Sequence, residues 1–462
     1  MSARSTTPHP TPHPTPHPTA HTTARFTAHR PRFLAATAAA LGLALAATAC
    51  GGDGSTAASG ADLDGQTLEI VGPWAGDEQE AFEQVLALFE DQTGATVSYS
   101  GAGDDLQTVL QTRIQGGDEP DVALIPQAGL IQHFADEGVL VPLSDEVVQA
   151  MDENMAGAWA EIGSVDDTPY GVYLKVANKS LVWYNDELFA ETGAVPPESW
   201  EEFVELSENL ADVGVSPLSV AGADGWVLTD WFENVYLQTA GPQMYDQLAA
   251  HEIPWTDPSV EVALETLADV WGEEQLMLGG SGGSLQTDFP TSVVNVYSDD
   301  PDAAMVVGAD FIGGVVTAST NAAVGDTAQI FPFPTIGGGG DSVVVAGDAA
   351  VAMSEGEATM ELLRFLATQE AAGEWAAIGG FISPNKHLTA DDYADPVLGQ
   401  VAEQVILAGD SVRFDLSDLQ PAAFGATVGD GMWQTLQDFL ADPSDVTGTM
   451  ERLEAEAERA HG

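Results

Sequence analysis

Leu68-Glu69-Ile70-Val71, Val97-Ser98-Tyr99 and Asp121-Val122-Ala123-Leu124-Ile125 are three short strand-like runs, and two helical segments separate them. Gly72-Pro73 ends the first run. Over residues 80–92, Ala81, Phe82, Val85, Leu86, Leu88 and Phe89 recur at the spacing that puts apolar side chains on one helix face, and Thr93-Gly94 stops it. Residues 105–115 form the second helix. Strand, helix, strand, helix, strand is the α/β pattern of a parallel sheet with helical crossovers. Outward from it the same mixture continues, with helices predicted over residues 200–210, 260–271 and 359–368. Gly279-Gly280-Ser281-Gly282-Gly283 lacks the Lys-Ser/Thr ending of a phosphate loop and reads as a mobile surface turn.

The 462 residues suffice for two lobes of ordinary size. Apolar residues make up 44%, which fits a globular body and argues against a multispan membrane protein. Seventy-two acidic residues against 12 basic ones give a net charge of −60, a surface that repels nucleic acid phosphates and anionic lipid headgroups. No nucleic acid partner is expected. Adaptation to salty surroundings and plain solubility both account for such a surface. Cys50 is the one cysteine, so no intrachain disulfide or cysteine metal site can form. His133, His251 and His387 lie far apart in sequence, and neither a structural zinc nor any other cofactor is expected.

Residues 1–32 carry a Thr-Pro-His-Pro repeat between Pro8 and Pro18 and cannot bury a core. The apolar run 33–49, preceded by Arg30 and Arg32, reads as the apolar region of a signal peptide, so residues 1–49 are set aside as leader. Its end, Leu45-Ala46-Ala47-Thr48-Ala49-Cys50-Gly51-Gly52, resembles a bacterial lipobox, with Ala47 where Leu is usual. The resemblance implies lipidation of Cys50; ordinary secretory cleavage with a free thiol is the alternative. An unpaired cysteine is a liability in an oxidising compartment, which favours the anchor. Residues 50–65 then form a flexible tether, rich in Gly, Ser and Ala.

Seven stretches spread over about residues 66–440 carry a wider resemblance. They are GPWAGDE at 72–78, GGDEPDVALIPQ at 116–127, LKVANKSLVWYN at 174–185, TDWFE at 229–233, TAGP at 239–242, GGFISPNK at 379–386 and RFDLSDLQPA at 413–422. In their order and spacing the chain resembles the family-1 extracellular solute-binding proteins of carbohydrate ABC importers, closest to the α-glucoside-binding branch. The resemblance implies an α/β, two-lobe, periplasmic-binding-protein-like (type II) clamshell with ligand between the lobes. It places lobe 1 at 66–177 and 328–378 and lobe 2 at 178–327 and 379–462. It also implies a monomer without enzymatic activity, outside the cytoplasm, that hands a sugar to permease subunits and touches the membrane only through its lipid.

A sugar presents hydroxyls around its rim and C–H bonds on its faces, which suit carboxylates and amides on the one hand and flat rings on the other. Ligands of α/β sheets lie beyond strand ends. Trp74 and Asp77 follow the first strand directly, although Asp77 and Asp104 could instead cap the helices they precede. Gln127 follows the third strand. Lys175, one of only three lysines, and Asn178 lie in the stretch expected to cross between lobes, whereas Lys179 and Lys386 read as structural ion pairs. Asp224, Trp226 and Asp230 form an acidic and aromatic cluster, with Trp226 the best stacking platform and Trp231 and Phe232 read as core. Asp310 beside Phe311, Asp341 after four glycines and Phe381 after Gly379-Gly380 complete the candidates. A glycoside hydrolase needs two carboxylates set across one bond, and composition cannot single out such a pair among 72. A binding protein for a polyol or a glycosylated osmolyte remains the nearer alternative.

Overall fold

The computed structural model describes residues 61–338, 342–408 and 412–461, all within one compact unit that begins at Ala58. The leader, Cys50, the first part of the tether and Asp341 lie outside the described residues.

Strands β1 (Thr67–Gly72), β2 (Thr96–Gly101) and β3 (Val122–Ile125) pair in parallel about β1, with the helices Asp77–Thr93 and Leu106–Gly116 as crossovers. A hairpin of β4 (Ser164–Val165) and β5 (Thr168–Pro169) leads into β6 (Gly171–Asn178), which is buried at every residue. Strands β7 (Leu181–Asn185), β8 (Ser216–Leu218), β9 (Ala303–Val307) and β10 (Ala328–Pro332) build a second sheet in the order β10-β7-β9-β8. Strands β11 (Val343–Ala352) and β12 (Val412–Phe414) return to the first sheet, whose order is β12-β11-β3-β1-β2 with β6 also on β11. One apolar core gathers around Ile70, Phe82, Leu124 and Val351, and another around Trp231, Phe232, Trp271 and Leu436. The result is a two-lobe α/β clamshell.

The return to the first sheet comes later than the resemblance implied. β10, placed in lobe 1, pairs with β7 from Ala328↔Asn185 to Pro332↔Leu181, because Phe331 packs into the second core. β12, placed in lobe 2, pairs in parallel with β11, and Ile382 bridges Val176 on β6. The glycine run expected to be a mobile turn is a short helix, Gly280–Ser284, held by Glu274, which accepts from the Ser281 amide at 3.0 Å and its hydroxyl at 2.8 Å.

The chain passes between the sheets three times: from β6 to β7, from β10 to β11, and from β12 into the helices beginning with Leu416–Leu419. Short polar contacts stitch these passages together. The Lys179 amide donates to Val344 O at 2.9 Å, and the Asp415 amide to Val345 O at 2.7 Å. Ser180 Oγ accepts from the Val344 amide at 2.8 Å, and Asp310 Oδ1 from the Asn178 amide at 2.6 Å. Lys179 Nζ, buried, donates to Asp230 at 2.9 Å and to Asp415.

Gly225 opens the helix Trp226–Ala240 at φ 79°, and a Cβ there would stand 2.7 Å from Trp433 Cβ. Both constraints require glycine. Gly225→Ala should therefore cost about 1–3 kcal/mol and lower the melting temperature; an unchanged melting curve would show that this turn is loose.

Candidate functional site

Between the sheets lies a cleft of about 540 Å³. Its two walls differ in chemistry. The first-sheet wall is polar: Glu78, Gln107, Gln127, Lys175 and Asp348 line it beside Trp74. Lys175 on β6 stands opposite Asp348 on β11, at an irregularity in strand register that follows Asp348. The lysine pairs with Glu78 and lies 3.7 Å from Asp348, whose Oδ2 also accepts from Trp74 Nε1 at 3.2 Å. Burial works to lower the Lys175 pKa, but Glu78 and Asp348 outweigh it and hold the ammonium above its ordinary value. The ammonium also sits 5.4 Å from the Trp74 ring and 5.5 Å from that of Phe311 across the cleft.

The opposite wall is aromatic. Trp226, Phe289 and Phe311 pack at centroid separations of 5.1, 5.4 and 6.0 Å, and Trp433 lies beside them. Asp224 fixes this wall by accepting from the Phe289 amide at 2.6 Å, while Asp288 caps the following helix through the Thr291 amide. Lys179 at the cleft floor lies 5.6 Å from the Trp226 ring. Both cleft lysines are thus neutralised by the protein's own carboxylates, so among the described residues the cleft offers no free cation to an anionic guest.

Residues 75–373 match the family described as bacterial extracellular solute-binding protein. The chain belongs to that family. It is 36% identical over 413 residues to the osmoprotective compounds-binding protein GgtB of Synechocystis sp., spanning 88% of this chain and 95% of that protein. Over 400 residues it is 34% identical to the alpha-glucosides-binding periplasmic protein AglE of Rhizobium meliloti, spanning 83% and 86%. Its fold matches the bacterial solute receptor AcbH, described by its preference for β-D-galactopyranose, with a TM-score of 0.74 at 20% identity over 85% of this chain and 99% of that one. Family and fold are those of non-catalytic, extracytoplasmic solute-binding proteins, and the clamshell is the periplasmic-binding-protein type.

In this solute-binding protein the cleft brings together Trp74, Gln127, Lys175, Asp224 and Trp226 from the sequence candidates. Trp74 is nearly buried and edges onto Trp375 and Phe82, so it supports the wall as much as it faces the cavity. The backbone of Asp77 begins the helix Asp77–Thr93, and that of Asp104 lies within the single turn Gly103–Asp105; their side chains and Asp341 lie outside what is described. Four candidates are corrected. Phe381 stacks on Trp375 at 4.4 Å and 7° in the first core, because the ring turns inward after Gly380. Asn178 spends its side chain on the Ser180 amide. Asp230 pairs with Lys179, and Asp310 accepts from the Asn178 amide, both buried outside the cavity lining. Lys386 reaches carbonyls of Asp152 and Met155 instead of a carboxylate.

Sequence reasoning passed over Asp348, Phe289, Phe311, Trp433 and Asp418 as cleft residues. Asp288-Phe289-Pro290 carried the one available signal, a capping Asp with Pro at the helix start beside a large ring.

Burial pushes the Asp310 carboxyl up to about 7, against the Asn178 amide and Lys175, which pull it down; its Oδ2 has no partner among the described residues. Between the ordinary carboxylate range and about pH 7 the folded chain keeps a proton that the unfolded chain has released. Stability therefore falls as pH rises through that window. Asp310→Asn cannot titrate, so its melting temperature should drop less than the parent's between about pH 5 and about pH 8. An equal drop would mean Asp310 is already ionised in the fold.

Proposed function

We propose that this protein captures a small, neutral, hydroxyl-rich glycoside in the cleft and presents it to the permease subunits of an ABC importer. The opposed walls carry the reading: rings suited to the C–H faces of a sugar on one side, carboxylates and amides suited to its hydroxyls on the other. The volume lies within the range of about 300–1,000 Å³ usual for small-molecule sites. An α-glucoside fits this chemistry, as does a glycosylated osmolyte or polyol. The names of the relatives AglE and GgtB speak for each in turn, and the chain covers most of both.

The lobes that would close on the ligand are bounded by the three passages, with residues 66–178 and 343–414 on one side and 181–332 and 416–461 on the other. The chain works as a monomer on the outer face of the cell membrane, held by a lipid on Cys50. The lone cysteine and the small residues before it support that anchor.

A thermal-shift screen over maltose, trehalose, sucrose, glucosylglycerol and common monosaccharides tests the reading, since a guest that binds only the folded state raises the melting temperature. At least one neutral glycoside should raise it by several degrees, and glucose 6-phosphate should not, because both lysines on the cleft lining are already paired with carboxylates. A flat response to every neutral sugar would overturn the reading.

A further inference from the structure

The carboxyl groups that line the cleft are not equivalent. Glu78 is engaged by Lys175, Asp348 by Trp74 Nε1 and Lys175, Asp224 by the Phe289 amide and Asp288 by the Thr291 amide. Among the described residues, no donor reaches the carboxyl of Asp418, although only 8% of the residue is exposed. Its backbone is fixed: the Asp418 amide donates to Asp415 Oδ1 at 3.0 Å, and Glu233 accepts from the amides of Leu416 and Ser417. Lys179, the cation that acts on it, is committed to Asp230 and Asp415.

The carboxyl oxygens are not sealed in the interior as Asp310 Oδ2 is; Asp418 lines the cavity, and its oxygens open onto it. With no donor from the described residues, solvent or a guest in the cleft must supply one. We propose that Asp418 is the cleft's principal hydroxyl-binding group, left unpaired by the protein so that a ligand hydroxyl completes its hydrogen bonds. The inference rests on the reading of the cleft as a site for a neutral glycoside and adds the residue that determines specificity there. Burial first, then Asp415, pushes the carboxyl well above the ordinary range, with Asp230 and Asp348 acting in the same direction and Lys179 against it. A carboxyl oxygen accepts from a sugar hydroxyl in either form. Ser417, beside it in sequence and on the lining, lies 3.2 Å from the Thr229 hydroxyl on the helix that begins with Trp226, which ties this segment to the aromatic wall, where a stacked ring would bring its rim within reach.

The test pairs affinity with ligand-free stability in the full chain. Binding of maltose, trehalose, sucrose and glucosylglycerol is measured by calorimetry for the parent, Asp418→Asn and Asp418→Ala. For each sugar the parent binds, Asp418→Ala should weaken affinity about ten-fold or more and Asp418→Asn by less, since an amide still pairs with a hydroxyl. The ligand-free melting temperature should stay level or rise in both variants, the reverse of what loss of a structural carboxylate gives. Affinity within about two-fold of the parent in Asp418→Ala overturns the proposal and leaves the cleft reading standing. A parent that binds none of the four sugars removes that reading, and the proposal with it.

Discussion

The Lys179 ammonium, buried between Asp230 and Asp415, is the interaction on which the rest of the structure depends. Its backbone belongs to the first passage between the sheets, its amide bonds to Val344 in the second, and its side chain reaches Asp415 in the third. Burial alone would strip the proton from such an amine, but Asp230 and Asp415 outweigh that effect and hold it well above its ordinary value. Burial likewise opposes ionisation of Asp415, yet Lys179, the Ser417 hydroxyl and the Asp418 amide together keep it below the usual range. Asp415 is thus the counter-ion. Asp230, pushed up to about 7 by burial, completes the shell.

From that knot the cleft follows in both directions. Up β6, four residues earlier, Lys175 stands over the cavity with Asp348 and Glu78 around it. Along the third passage, the residues after Asp415 carry Ser417 and Asp418 onto the lining, while Asp230 anchors the helix that begins with Trp226. A single buried cation thereby sets the relative position of the polar wall, the aromatic wall and the unpaired carboxyl. The two cleft lysines serve the architecture and pair with carboxylates already present, which leaves the cavity acidic and aromatic. That composition favours uncharged guests over anionic ones.

Much of this was legible in the chain, and the reasons are physical. The first three strands and two helices read correctly because each helix has one solvated face, so Ala81, Val85 and Phe89 stand out at helical spacing. The helix Trp226–Ala240 is buried from Val227 to Leu237, so no polar stripe marks it in the sequence. β10 was placed in lobe 1 because the resemblance implies a late return without fixing its residue, and only the pairing with β7 shows that the return comes after Pro332. Phe381 followed two glycines, as a cleft residue on a loop would, and only the position of Trp375 shows why it faces inward. Asp418 could not be singled out among 72 acidic residues, since what distinguishes it is the donors that its neighbours do not supply.

Equilibrium chemical denaturation of Lys179→Met at neutral pH, with Lys386→Met as the control lysine, addresses the knot most directly. Removing one member of a buried pair leaves its carboxylates uncompensated, so Lys179→Met should lose about 3–5 kcal/mol while Lys386→Met, which bonds only to carbonyls, loses about 1 kcal/mol or less. Equal, small losses in both would contradict the account, because the three passages would then be held without the buried ammonium.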